Sequence, residues 1–159
     1  MIKCFEPWID QKTKAVVIGT MPSVKSLENE MYYAHPQNNF WRFMAEILNN
    51  GQAIKNRKTF LLSHHVGLWD SLQSCEREGS LDSNITDMIY NDFHKYPQIR
   101  YFLFNGQKAF RFFKMRNADL LNESNYFVLP STSPANASLS RNEKLQIWRE
   151  VFLKILSSF

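Results

Sequence analysis

The sequence has few of the residues that form covalent cross-links or metal clusters. Only two cysteines occur among its 159 residues, Cys4 and Cys75, and they form no CxxC pattern. This usage indicates neither a disulfide framework nor a thiolate metal site, and it fits a reducing, intracellular compartment. The four histidines form no i,i+4 pair with a nearby glutamate. We therefore expect no metal site.

Long hydrophobic runs are also missing. Glu6, Pro7 and Asp10 lie where a secretory signal peptide needs an apolar stretch, and no segment reaches the length of a membrane span. We therefore expect a cytoplasmic protein that has no membrane partner.

Glycine-rich phosphate loops and the common hydrolase motif are absent as well. The segment 19–23 lacks both the glycines of GxGxxG and the Gly-Lys-Ser/Thr of a P-loop. Ser131 and Ser133 lack the GxSxG context of an acyl-transfer nucleophile. These absences argue against nucleoside triphosphates, dinucleotides and acyl transfer, and we expect no cofactor.

The composition is otherwise that of an ordinary globular domain with many rings. Hydrophobic residues make up 44% of the chain and charged residues 21%, while the aromatic share of 14% is high. A chain of this length buries roughly 70% of its surface in one domain, so we place a single domain over 1–159. The net charge of +4 permits binding of a polyanion without requiring it.

Hydrophobic periodicity predicts strands that alternate with helices. This order indicates an α/β fold with a mainly parallel sheet, in which ligands lie beyond the carboxyl ends of the strands. Two loops, 19–37 and 130–139, leave such ends and should share a cleft, whereas the polar segment 76–83 should be exposed. We predict strands at 15–18, 66–70, 100–104 and 126–129, and helices at 40–48, 59–64, 85–96, 107–115 and from 141 nearly to 159.

The first loop concentrates amides and rings. Aromatic rings offer stacking faces and carboxamides offer both donors and acceptors, a combination that suits nucleobases. The alternative is structural, with the tyrosines in the core and Asn38 or Asn39 capping the helix that begins at Phe40. The polar and aromatic residues concerned are Tyr32, Tyr33, His35, Gln37, Asn38 and Asn39.

Ordered motifs along nearly the whole chain resemble those of the uracil-DNA glycosylase superfamily. The most specific is Tyr-Tyr-Ala-His-Pro-x-Asn-x-Phe-Trp over 32–41, which is similar to the hypoxanthine-DNA (deoxyinosine) glycosylase branch. The resemblance implies a three-layer α/β sandwich with a central four-stranded, mainly parallel sheet flanked by helices. The other matching segments are 19–23, 68–72, 74–82, 104–106 and 129–137.

The resemblance also implies roles for particular residues. Asn38 takes the catalytic position and would orient water or bond the base, while Tyr33 would stack on the extruded base. Met21 stands where mismatch-specific relatives carry Asn or Asp, and Ser131 lies near the position of the histidine of uracil-specific members. Hypoxanthine is therefore the expected base, with uracil and xanthine as secondary ones. The expected base-binding residues are Gly19, Thr20, Met21, Pro22, Tyr33 and Ser131.

The second loop is expected to enter the minor groove of DNA. Leu139 is the candidate wedge that fills the space of the flipped nucleotide, because it is the only large apolar side chain in the loop. The alternative is that Leu139 packs on the core. The expected DNA-binding residues are Ser133, Pro134, Ala135, Asn136 and Leu139.

Together these features predict a monofunctional DNA glycosylase of base-excision repair. It would act as a monomer on damaged DNA, duplex or single-stranded, and hydrolyse the bond between base and sugar. Two other functions stay open: a non-catalytic nucleic-acid-binding module of the same fold, and a hydrolase that acts on free nucleosides.

Overall fold

The protein is described by a computed structural model over residues 1–135 and 138–159. Apart from short 3-10 turns, the elements follow in the order β-β-α-α-α-β-β-β-β-α-β-α. The strands are β1 (Ile2–Lys3), β2 (Ala15–Gly19), β3 (Val66–Asp70), β4 (Leu72–Glu76), β5 (Thr86–Tyr90), β6 (Tyr101–Asn105) and β7 (Tyr126–Leu129). The helices are α1 (Val24–Asn29), α2 (Phe40–Leu48), α3 (Arg57–Ser63), α4 (Gln107–Asn117) and α5 (Arg141–Leu156).

A four-stranded parallel sheet forms the middle layer, with the strand order β3-β2-β6-β7. Successive residues of β2 point to opposite faces, so that Val17 joins the core beneath α2, α3 and α5, while Val16 and Ile18 join the core beneath α4. A strand that is buried on both faces reads as a continuous apolar run, as segment 15–18 does. The predicted three-layer architecture is confirmed.

A second, smaller sheet was not predicted. It is antiparallel, with the order β1-β4-β5, and it covers a small core that includes Met21, Leu72 and Cys75. The helix predicted over 85–96 is wrong, because this segment contains β5 and a short 3-10 turn. Apolar residues at 85, 88 and 89 imitate helical spacing, but pairing with β4 selects the extended form, with two register shifts.

Local capping explains several element boundaries. Ser140 and Glu143 form a capping box at the start of α5. The long first loop contains one short helix, α1, which Ser23 caps through a bond from the Ser26 backbone N–H. Within the described ranges, no helix has the length and apolar character needed to cross a membrane.

Candidate active site

A cavity of about 470 Å³ lies beyond the carboxyl ends of β2, β3 and β6. Residues of both suspected loops line it, which confirms that the two loops share a cleft. A second cavity of about 500 Å³ lies beside α2 and the start of α5, and no predicted site residue lines it. The first cavity gathers a tyrosine, carboxamides and carboxyl groups, and it is therefore the candidate active site.

The floor of the cavity depends on the absence of a side chain at Gly19. A Cβ at this position would lie 2.6 Å from Asp70 Oδ1 and 2.9 Å from the Tyr33 hydroxyl oxygen. Gly19 and Asp70 are paired residues at the ends of neighbouring parallel strands. Glycine thus lets the two polar side chains approach the backbone at the end of β2.

Tyr33 adopts a left-handed backbone conformation, with a φ of 55°, that turns its ring toward α2. The ring lies 4.4 Å from that of Phe40 with an interplanar angle of 31°. Among the described residues the buried hydroxyl has no hydrogen-bond partner, and burial raises its pKa against a smaller lowering effect of Asn105. Hydrogen bonds from the Trp41 indole to the Tyr32 carbonyl (2.7 Å) and from the Ala34 N–H to Ser26 Oγ (3.1 Å) fix the adjoining backbone.

Asn38 lines the cavity at the start of α2. Its Oδ1 accepts a hydrogen bond of 2.9 Å from the Phe40 backbone N–H, whereas the neighbouring Asn39 makes no capping bond with its side chain. As the structural alternative predicted, Asn38 therefore supports the start of α2, but only through its side-chain oxygen Oδ1. In the described part of the chain the Asn38 amide nitrogen has no partner, so two donor hydrogens remain.

Thr132 joins the second loop to the rest of the site. Its N–H donates to Asn105 Oδ1 and its hydroxyl accepts from Asn105 Nδ2, both at 2.9 Å. Its carbonyl accepts from the Asn39 N–H at 3.0 Å. Asn105 ends β6, so these bonds hold the second loop against the sheet and against the start of α2.

A third segment, 80–82, also lines the cavity. Arg77 holds it in place by donating to the carbonyls of Gly79 (2.8 Å) and Pro22 (2.5 Å). The Val24 N–H donates to Ser80 Oγ at 2.9 Å, which ties the segment to the first loop. The segment 76–83 is therefore not wholly exposed as predicted, because Asp82 is half-buried and lines the cavity.

Two carboxyl groups of the cavity have perturbed pKa values. Burial, followed by the negative charge of Asp82, raises the pKa of Asp70 to about 7. Asp70 is 3% exposed, and its Oδ2 has no hydrogen-bond partner among the described residues. Burial also raises the pKa of Asp82, against the lowering effects of the Arg77 charge and a hydrogen bond with Thr20.

The cavity brings together most of the residues that the sequence indicated. Leu139 is half-buried and does not line it, and Asn136 lies outside the described residues. The predicted residues that line the cavity are Gly19, Thr20, Met21, Pro22, Tyr33, Asn38, Ser131, Ser133, Pro134 and Ala135.

Sequence reasoning missed Asp70, Asp82, Asn105 and Thr132 as lining residues. Asp70 and Asn105 each end a buried strand, so their positions carried a usable signal, a polar residue at the carboxyl end of a parallel strand. Asp82 offered none, because its contact with the first loop depends on the unpredicted β4. No cluster of three metal-binding side chains occurs over 1–135 and 138–159.

Comparisons with known proteins agree with this geometry. The model of the uracil DNA glycosylase superfamily matches residues 6–152. A hypoxanthine DNA glycosylase of Methanosarcina acetivorans is 34% identical, and one of Methanosarcina barkeri 32%, with 93% of this chain and 96% of each relative covered. The solution NMR structure of a Methanosarcina acetivorans protein, provisionally named a uracil DNA glycosylase, superposes with a TM-score of 0.79, 32% identity and 99% coverage of both chains. This chain belongs to the uracil DNA glycosylase superfamily and is a DNA glycosylase.

Proposed function

We propose that this protein excises hypoxanthine from DNA by hydrolysing the bond between the base and its deoxyribose. The observation that carries the proposal is that one cavity contains the Tyr33 ring, the buried carboxyl of Asp70 and the Asn38 amide nitrogen, which has no partner among the described residues. The two curated relatives are named for this base. Uracil and xanthine are secondary candidates, because both share the amide-like N–H and C=O edge of hypoxanthine.

Tyr33 supplies the stacking face for an extruded base. Its ring is only partly exposed and is supported by Phe40. A base that stacks on an aromatic ring gains roughly 1–3 kcal/mol. The buried hydroxyl has no partner in the described chain, so the ring is the part of Tyr33 that serves binding.

Asn38 supplies a hydrogen-bond donor. Its Oδ1 accepts from the Phe40 N–H at the start of α2, whereas its amide N–H groups have no partner in the part of the chain that the structure describes. These N–H groups suit an oxygen or nitrogen of the base that gains electrons as the bond breaks. A carboxamide does not titrate at ordinary pH, so Asn38 acts by position and charge complementarity rather than as a general base.

The remaining cavity residues would shape the base pocket and contact the DNA strand. Gly19, Thr20, Met21, Pro22 and Ser131 would border the base, and Ser133, Pro134 and Ala135 would lie against the sugar-phosphate backbone. The same loop continues through Asn136 to Leu139, which completes the proposed DNA contact. We propose that one monomer binds one lesion, with duplex DNA as the main substrate.

The test is an excision assay with purified protein on matched oligonucleotides that contain inosine, uracil or xanthine, in single-stranded and duplex form. Release of free hypoxanthine, faster than release of the other bases, is expected. A protein that binds these oligonucleotides without releasing any base would be a binding module. Cleavage of free inosine at a comparable rate would indicate a nucleoside hydrolase.

The same assay tests the monofunctional mechanism. No lysine of the described segments lines the cavity, so no Schiff base with the sugar is expected. Borohydride added during turnover should therefore trap no covalent protein–DNA adduct. A trapped adduct that disappears in Lys25→Ala would show a lyase mechanism, because Lys25 is the lysine of the first loop.

A further inference from the structure

Hydrolysis of a base–sugar bond needs a proton acceptor for the attacking water and a proton donor for the departing base. In the first loop the residue before Pro22 is Met21, whose thioether cannot remove a proton from water. Asn38 is a carboxamide and cannot supply either proton transfer. The proposed function therefore leaves both proton transfers unassigned.

Asp82 is the candidate for the proton acceptor. It comes from the segment after β4, lines the cavity, and lies close enough to Thr20, the residue before Met21, for that side chain to lower its pKa. The bonds of Arg77 to the carbonyls of Gly79 and Pro22 fix this segment against the first loop. A carboxylate from a segment distant in sequence thus lies beside the first loop, which itself has no proton acceptor at Met21.

Asp70 is the candidate for the proton donor. It ends β3 and lines the same cavity. Its side chain is buried, with 3% exposed, and its Oδ2 has no hydrogen-bond partner in the described chain. A buried carboxyl without a hydrogen-bond partner destabilises the fold unless it is protonated or a ligand supplies a hydrogen-bond partner. As a carboxylic acid it offers an O–H donor beside a C=O acceptor, which complements the adjacent carbonyl and N–H of hypoxanthine.

We propose that Asp82 and Asp70 act as a pair, with Asp82 as the general base for water and Asp70 as the general acid for the base. The water oxygen forms a bond to C1′ of the sugar while one water proton passes to the Asp82 carboxylate. The bond between C1′ and the base nitrogen breaks, and its electron pair leaves with the base, which takes the proton of Asp70. Solvent then returns a proton to Asp70 and removes one from Asp82. This assignment depends on the proposed function.

The charges around the pair support this division of roles. Like charges in one cavity favour one protonated and one ionised carboxyl, and the negative charge of Asp82 helps to raise the pKa of Asp70 to about 7. Burial raises the pKa of Asp82 as well, while the Arg77 charge and Thr20 act in the opposite direction and favour its ionised form. The other titratable groups that interact with the pair are Lys108 and Cys75 for Asp82, and Cys4, Tyr32 and Tyr33 for Asp70.

The test compares single-turnover excision of hypoxanthine between about pH 5 and pH 9 in wild type, Asp70→Asn and Asp82→Asn. Wild type should lose activity as the pH rises through about 7, where Asp70 loses its proton, and also at low pH, where Asp82 gains one. Each variant should be slower by about 10²–10⁴-fold. Asp70→Asn should lose the alkaline decline and Asp82→Asn the acidic one. Asp87→Asn, an exposed aspartate outside the cavity, is the matched control and should behave as wild type.

A second readout separates chemistry from folding. Added formate should accelerate Asp82→Ala but not Asp70→Asn, because a small carboxylate can replace the proton acceptor at the vacated position. Slower variants that keep the wild-type pH profile, or excision that increases through pH 7, would overturn the pair. Wild type that releases no hypoxanthine would instead overturn the proposed function itself.

Discussion

Asp70 Oδ1 lies 2.6 Å from the position that a Cβ of residue 19 would occupy, so the carboxyl of one strand fills the space left by the glycine of the next. Because no real Cβ tolerates such a contact, an alanine at this position must displace the carboxyl or the strand end. The shape of the cavity thus depends on a residue that has no side chain.

We expect Gly19→Ala to reduce excision by roughly 10²-fold, since displacing a reacting group by about 1 Å has an effect of that size. The fold should survive, because the clashing atoms belong to the side chains of Asp70 and Tyr33. Gly67→Ala is the comparison: its Cβ would meet the carbonyl oxygen of Trp8, a backbone atom, so it should lower the melting temperature more. A wild-type excision rate in Gly19→Ala would contradict the claim that the shape of the cavity depends on the absence of a side chain at Gly19.

Asn38 has two functions that substitutions can separate. Asn38→Asp keeps an oxygen that can cap α2 and removes both amide donors, so it should slow excision by about 10²–10³-fold with little change in melting temperature. Asn38→Ala should show the same loss of rate plus about 0.5–2 kcal/mol of lost stability, because the cap is lost as well. Duplex affinity should stay near that of wild type in both variants.

Asn39→Ala is the matched control, since the Asn39 side chain makes no capping bond and does not line the cavity. It should remain close to wild type in rate. If Asn38→Asp excises normally and only Asn38→Ala is impaired, Asn38 is a structural cap and its catalytic assignment fails.

Tyr33 should tolerate the loss of its hydroxyl but not of its ring. Tyr33→Phe removes a buried hydroxyl that has no partner among the described residues, so stability should stay equal or increase and excision should persist. Tyr33→Ala should weaken binding of the extruded base by roughly 1–3 kcal/mol, measured as the loss in kcat/KM. An equal loss of kcat/KM in Tyr33→Phe and Tyr33→Ala would show that the hydroxyl, and not the ring, is the functional group.

The sequence predicted the central elements around this cavity better than the smaller sheet beside it. The apolar run 15–18 predicted β2, and the helical spacing after Asn39 predicted α2, both nearly to the residue. The apolar residues of each element follow one clear pattern, which the sequence alone displays. The antiparallel sheet was missed because its strands are short, partly exposed and shifted in register. The position of Asp82 depends on that sheet, so local patterns could not place it in the cavity.

The buried carboxyl of Asp70 should make the protein less stable at alkaline pH. Its pKa is about 7 in the folded chain and near 3.8 when unfolded, so the folded state binds the proton more tightly. The contribution of Asp70 to stability is therefore most favourable below about pH 4, decreases as the pH rises toward 7, and stays unfavourable above it.

Asp70→Asn removes this effect, so at pH 8 its free energy of unfolding should exceed that of wild type by at least about 1 kcal/mol, since each tenfold change in proton affinity is worth about 1.4 kcal/mol. The difference should shrink at pH 4. Urea unfolding at both pH values measures it, with Asp87→Asn as the exposed control. A variant that is less stable than wild type at pH 8 would mean that the Asp70 carboxylate has a stabilising partner.

The wedge that fills the duplex after base extrusion is still predicted to be Leu139. Leu139 is half-buried and does not line the cavity, whereas Leu81 is 56% exposed and lines it. Leu139→Ala should leave the melting temperature unchanged, slow excision from duplex DNA about tenfold or more, and spare excision from single strands, where no base pair must open.

Leu81→Ala is the matched comparison at the cavity, and Leu153→Ala, 60% exposed on α5, is the control for loss of a surface leucine. A large fall in melting temperature with equal losses on both substrates would make Leu139 a core residue. A duplex-specific loss in Leu81→Ala alone would place the wedge on the segment 80–82, since only a side chain that enters the duplex affects the two substrates differently.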